Sequence, residues 1–279
     1  DLDERLVPNG EYRDAQNVEV LVSEGSDVGT VQTCLGNSVI SDLVPDNEST
    51  CVGGVVDDKT NSMYYFIAGY PPTTTTGAVA RSQHEISQDL VVEYNSADNT
   101  TLPVIVDIYN VHTEITSNVG LIYTVVSVDG LRVGMEVDTF PTSTTGPLPI
   151  ITAIPTSTTV ILSSSISIGR VNFIAPRVLN FDKDRLITGV NVVDDMLLWT
   201  DNFSEPKKIN IIRGKQGSTN TINQNPANGT THTELIVDGD TVLNKSQNGI
   251  PLNPPFGIPE YIQEKHITVI KKSPLTPPK

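Results

Sequence analysis

The sequence predicts an all-β chain, on three observations. Hydrophobic residues make up 37% of the 279 residues and aromatics only 5%, so the core rests on Val, Ile and Leu, side chains suited to a pleated, half-buried surface. The stretches between the apolar runs are filled by Thr, Asn, Ser, Gly and Pro, as turns between short strands require. Almost no apolar run follows a helical spacing of 3.6 residues.

Along the chain, Pro8-Asn9-Gly10 forms a turn, because proline presets φ and glycine accepts positive φ. Asn17 to Ser23 is a strand, Glu24 to Asp27 a turn around Gly25, and Val28 to Leu35 the return strand. Val52 to Val56, a polar turn at Asp57 to Asn61, Met63 to Ala68, a Thr-rich loop from Pro71 to Gln88, and Leu90 to Tyr94 then read as one antiparallel propeller blade. A similar order returns at Leu186 to Val193, Asp194-Asp195, Met196 to Thr200 and Lys207 to Ile212, with Gly54 answering Gly189 and Met63 answering Met196.

Between these units, Val104 to His112, Ile122 to Val128, Gly134 to Val137, Ile150 to Ile154, Thr159 to Ser163 and Val171 to Ile174 are short strands at even spacing, the pattern of a small sandwich or barrel. The expected organisation is a partial or complete propeller-like body with this domain inserted. Residues 1–101 and 179–279 form the body and residues 102–178 the insertion. Beyond Arg213, Gly214 to Thr231 reads as a loop, His232 to Val237 and His266 to Lys271 as strands, and the proline-rich end as an extended exit. A start at Asp1 and a linker-like end suggest a portion of something longer.

The net charge is −15, with 18 Lys and Arg against 33 Asp and Glu. Such a surface repels phosphate backbones, so no nucleic-acid binding by a basic face is expected. No apolar stretch approaches the length of a membrane span, and no membrane partner is expected. Cys34 and Cys51 could pair if adjacent strands brought them together, but buried free thiols are the expected state. C-x-x-C and ligand-spaced Cys/His groups are missing, so no structural metal is implied.

The paired acids Asp57–Asp58, Asp182–Asp184, Asp194–Asp195 and Asp238–Asp240 read as turn residues that cap their own backbone. Calcium held by Asp182 and Asp184 is the runner-up for that pair. The four histidines, His84, His112, His232 and His266, share no ligand spacing, and neither G-x-S-x-G nor a phosphate-binding glycine loop occurs. No catalytic residue or cofactor is expected. Tyr64, Tyr65, Phe66, Leu197, Leu198 and Trp199 are expected to pack the body, and Gly10, Gly25, Gly54 and Gly189 to serve turns or close backbone approach.

Three stretches carry a family resemblance: LDERLVPNGEYRDAQNVEV with SEGSDVGTVQ and LGN near the start, RLITGVNVVDDMLLWTDNFSEPKKINI from Arg185 to Ile211, and EKHITVIKKSPLTPP from Glu264 to Pro278. They resemble virion structural proteins of tailed, marine-type bacteriophages, among which propeller-bearing tail nozzle and stabilisation proteins occur. LLWTDN is similar to the YWTD-type propeller repeat. The resemblance implies a non-catalytic assembly protein of the virion, made in the host cytoplasm. Its expected partners are copies of itself in a ring and other tail or portal proteins. A complete propeller needs at least four blades, on the order of 160 residues, and only one copy of the repeat is clear; if the 279 residues were the whole protein, symmetry or another subunit would have to complete the ring. A receptor- or glycan-binding tail module and a propeller hydrolase are the alternative readings.

Overall fold

The computed structural model describes residues 18–22, 29–33, 49–69, 83–138, 147–218, 231–236 and 259–269. The chain divides into two compact units, Asp1–Ile40 and Ser41–Lys279. In the first, β1 (Val18–Val22) and β2 (Gly29–Thr33) pair antiparallel from Val18↔Thr33 to Val22↔Gly29, at the two strands the alternating sequence predicts. Gly10, Gly25, Cys34 and Asp238–Asp240 lie outside the described residues.

The second unit opens with an antiparallel meander of β3 (Thr50–Asp57), β4 (Ser62–Ala68), β5 (His84–Asn95) and β6 (Thr100–Val119). Its tight turns follow local chemistry. Asp57 accepts the Lys59 N–H at 3.2 Å and the Thr60 hydroxyl at 2.7 Å, while Asn61 and Asn99 take the positive φ that Asn tolerates. The expected loop up to Gln88 is corrected: β5 already begins at His84. Its polar start is strand because β6 pairs across it, and Ser87 and Gln88 are buried there. The expected domain boundary at 101/102 falls inside β6, whose 20 residues serve both regions.

β7 (Ile122–Val125) pairs the end of β6, followed in the chain by β8 (Glu136–Asp138), β9 (Ile151–Thr156), β10 (Thr159–Leu162) and β11 (Gly169–Ile174). The sheet runs β3-β4-β5-β6-β7-β10-β9, and β11 pairs both β6 and β8. The isolated bridge Glu136↔Ile150 and the Ile151 N–H to Met135 C=O bond set the start of β9 beside β8. β12 (Gly189–Val193), β13 (Met196–Thr200) and β14 (Lys207–Asn210) form a separate three-stranded antiparallel sheet. β15 (Glu234–Ile236) pairs β16 (Pro259–Tyr261). The chain is all-β in its extended architecture, with two short helices among the described residues.

Side-chain alternation along β4, β5 and β6 feeds two cores. Tyr64, Phe66, Val91 and Ile105 pack with Phe181, Leu197 and Trp199, whereas Ile67, Leu90, Val106 and Ile108 pack with Tyr123, Val137, Leu162 and Phe173. β5 and β6 are thus buried on both faces. In the first core the Phe66 ring lies 5.6 Å from Trp199 and 5.8 Å from Phe181 in tilted and edge-on contacts.

Two strand expectations become helices. The strand expected to reach Ile212 ends at Asn210, and α1 (Ile211–Ser218) follows, replacing the start of the expected loop at Gly214. Asn210 is its N-cap: the side-chain Oδ1 accepts the Arg213 N–H at 2.9 Å, three residues into the turn. The expected strand at His266 starts inside α2 (Glu264–Ile267), where Gln263 and His266 form a reciprocal capping box, and only Thr268 bridges back to Lys207. Asn210→Ala is expected to cost about 1 kcal/mol of stability in urea unfolding, whereas Asn210→Asp retains most of it. An alanine variant as stable as the parent would show that the cap is not needed to start α1.

Cys51 is an exposed free thiol, not a buried one, and its Sγ donates to the Gly53 carbonyl at 3.4 Å. An added Cβ at Gly54 would meet the Tyr64 carbonyl at 3.2 Å, and one at Gly189 the Thr200 Cγ2 at 2.6 Å. An equally close approach, here against backbone, is at Gly53, 2.6 Å from the Ile187 carbonyl, where the Ile187 N–H bonds the Val52 carbonyl at 2.7 Å.

Candidate functional site

The β5–β6 register sets Asp89 directly opposite Asp107, and both are fully buried. Like charges placed this way repel, so each carboxylate needs its own partners. Asp89 receives Arg177 through Nη2 at 2.7 and 2.9 Å and through Nε at 3.3 Å. It also accepts the N–H groups of Gly69 at 3.0 Å and Phe181 at 3.1 Å. The same guanidinium donates to the Phe181 carbonyl at 2.7 Å and stands 4.3 Å over the Tyr109 ring. Asp107 accepts the N–H groups of Val178 and Leu179 through Oδ2, at 2.6 and 2.8 Å. One polar stitch therefore pins the 177–181 segment to the sheet at residues about 70 to 90 positions earlier in the chain.

On the edge of β6 away from β5, side chains replace a neighbouring strand. The Val106 N–H donates to Thr233 Oγ1 at 2.7 Å, and the Ile108 N–H to His232 Nδ1 at 3.0 Å. Arg132 Nη1 donates to the Ile108 carbonyl at 2.5 Å, and Ser218 Oγ to the Val104 carbonyl at 3.0 Å. Nδ1 of His232 accepts, so its ring is neutral with the proton on Nε2. Glu93 makes a third link, accepting Ser62 Oγ at 3.0 Å, Tyr64 Oη at 2.9 Å and Lys215 Nζ of α1.

Burial raises the Asp107 carboxyl to about 6, with the nearby Asp89 charge adding to the rise and the Val178 and Leu179 N–H groups opposing it. Burial also raises Asp89, against the pull of Arg177. It drives His232 well below its ordinary value, helped by the Arg132 charge. Burial, with Glu93 second, lifts the Tyr64 hydroxyl above its ordinary range.

These directions give a test. A carboxyl raised in the folded state contributes stability that is complete below its unfolded value near 4 and is lost as pH rises through about 6. Asp107→Asn removes that loss while keeping an oxygen for the two N–H groups. Its stability relative to the parent is expected to rise between pH 4 and pH 8, by an amount on the order of 3 kcal/mol. His232 has the opposite slope, losing stability as pH falls below 6.5, and because its Nδ1 lies 4.0 Å from Asp107 Oδ1 part of the difference below that pH passes through the ring. A difference that does not change with pH in urea titrations would mean that Asp107 is not charged and buried as described.

The residues expected to pack the body divide by face. Tyr64, Phe66, Leu197 and Trp199 are buried in the first core, whereas Tyr65 and Leu198 are only partly buried and Tyr65 packs against the second core. The correction is strand alternation: adjacent residues cannot share a face. Asp182 Oδ1 accepts the Asp184 N–H at 3.0 Å and Oδ2 faces Arg185 Nε at 3.4 Å, so both of its oxygens are engaged. Among the described residues no group of three His, Cys, Asp or Glu is placed to hold a metal ion. Asp89, Asp107, Glu93, Arg132 and Arg177 belong to none of the motifs read from the sequence, and His232 stands there only as a histidine without ligand spacing at the start of an expected strand. The available signal was a lone acid inside an apolar run, as in QDLVVEY and PVIVDIY.

No protein-family model, curated protein or solved structure matches this chain.

Proposed function

We propose that the chain is a non-catalytic structural subunit of a tailed-bacteriophage particle, placed in the tail or head–tail junction, which works by assembling with copies of itself and with other tail or portal proteins. The observation that carries the reading is the use of its buried charge. Asp89, Asp107 and Glu93 are each surrounded by groups from remote segments and act as cross-links between the sheet and what covers it. Rigid stapling of this kind suits a load-bearing subunit. The assignment to phage particles rests on the three resembling stretches of sequence.

A propeller-like body is supported by how the two meanders meet. The first strands approach where Ile187, just before β12, bonds Val52 of β3, and the second strands face each other through Phe66 of β4 and Trp199 of β13. The strands β7 to β11, gathered on the far half of β6, then form the small sandwich or barrel unit.

The test is the mass of the purified protein by light scattering, together with electron micrographs of the same sample. Rings, tubes or fixed-stoichiometry oligomers are expected. A strict monomer at high concentration that also fails to join tail or portal proteins in a reconstitution would count against the proposal.

A further inference from the structure

The outward face of β7, β10 and β9, together with the end of β6, carries two ordered rows of side chains. Register places Val119 of β6 opposite Ile122 of β7, Ile122 opposite Ile161 of β10, and Ile161 opposite Ala153 of β9. The adjacent Tyr123 and Val160 point into the second core, so this row points away from it. Val119 is 81% and Ile122 47% exposed, while Ile161 and Ala153 are half-buried. A second row lies beside the first, with Ser117 opposite Thr124, Thr124 opposite Thr159, and Thr159 opposite Thr156. An apolar row and a hydroxyl row thus cross four strands. No charged residue occurs from 115 to 128 or from 139 to 169, in a chain of which 18% is charged.

We infer that this face docks on the same face of a second copy, a surface assignment that rests on the proposed role as a self-associating subunit. Charge selects the occupant. Two copies of net charge −15 repel one another, and they meet with least repulsion where neither surface bears a charge. A basic partner would be drawn to the acid-bearing surface instead. Turned about a two-fold axis along the strands, the apolar row lies on its own copy and the hydroxyl row on its own copy, as two aligned sheets. Edge-to-edge pairing through β9, the last strand in the sheet order, is opposed by Pro155, which offers no N–H. Four strands span roughly 15 Å at the usual spacing, so the contact is smaller than the ~800 Å2 per partner of a standard stable interface. The pair is therefore weak and concentration-dependent.

The experiment is sedimentation equilibrium of the full chain over a concentration series, at low and high salt. A monomer–dimer equilibrium with a dissociation constant on the order of 100 μM is expected. Raising sodium chloride from about 0.05 to 0.5 M tightens it severalfold, because screening weakens the net repulsion and no ion pair is lost. Ile122→Glu weakens it at least about tenfold. Val119→Glu acts in the same direction, and at 81% exposure that position tolerates the change without loss of the fold, which circular dichroism checks. Val56→Glu, on β3 and 59% exposed, adds the same charge outside the face and shifts the constant less than about twofold. Dimers left intact by both Ile122→Glu and Val119→Glu overturn this face while self-association stands. Dimers that loosen as salt rises overturn the uncharged contact. A strict monomer at about 1 mM, ten times the expected constant, overturns the face-to-face pair, and reconstitution with tail or portal proteins then decides the subunit role separately.

Discussion

Arg177→Ala is expected to lower the unfolding free energy by about 3–5 kcal/mol at neutral pH, the usual cost of stripping one partner from a buried ion pair. Asp89 is fully buried, whereas the arginine side chain is 29% exposed. The loss therefore comes mainly from the carboxylate left behind with two N–H donors, not from the arginine itself. The pH dependence follows from the same argument. Arg177 holds Asp89 down against burial, so its removal raises the carboxyl further. The deficit relative to the parent is then small in acid, where Asp89 is neutral in both proteins, and grows as pH rises through the raised value. Adding Asp89→Asn to the alanine variant is expected to recover part of the loss. Chemical denaturation of the two single variants and the double variant between pH 4 and pH 8 checks this. A deficit that stays constant with pH, or a double variant no better than Arg177→Ala, would falsify the account of Asp89 as a buried charge.

Gly217→Ala and Gly214→Ala are expected to destabilise the protein by about 2–3 kcal/mol each, as overpacking does. The direction is the informative part. In a free-standing helix, replacing an interior glycine with alanine stabilises by up to about 1 kcal/mol. In α1, however, a Cβ at Gly217 would sit 2.2 Å from the Glu234 carbonyl oxygen, and one at Gly214 would sit 2.5 Å from that of Val104. Both obstacles are backbone, which has no rotamer with which to move aside. The glycines let α1 lie directly against β6 and the start of β15, where Ser218 bonds both Val104 and Thr233. Thermal and urea unfolding of the two variants provides the check. Stabilisation by either alanine would mean that α1 stands further from the sheet.

α1 also shows why some elements were illegible. IIRGKQGS carries two glycines and little apolar periodicity, so by propensity it belongs to a loop. It is helical because Asn210 caps it and two surfaces come close enough to need a residue without a side chain. The stretch from His84 to Asp89 failed in the same way, since its polar residues are strand only because β6 supplies the register and the burial. HITV suggests a strand by its β-branched residues, but His266 and Ile267 close the short helix α2 behind the Gln263–His266 capping box, and the backbone returns to extended only at Thr268. The meander strands were legible because their apolar residues are contiguous or alternate and acidic turns divide them, a signal that needs no partner to interpret.

The clamp was the least legible part. Asp89 and Asp107 stand in runs of β-branched residues, and as isolated letters they read as interruptions. Their meaning depends on a register that pairs residues 18 positions apart and on segments that return from Arg177 and His232. By itself the sequence determined the all-β class, most strand positions and the acidic surface, because turn chemistry, side-chain branching and net charge are local or additive properties. Only the tertiary structure decided which strands are covered on both faces, which glycines are steric requirements and which acids are buried. Each of these depends on what a distant part of the chain places within a few ångströms, and the energy of a buried charge is set by that neighbour.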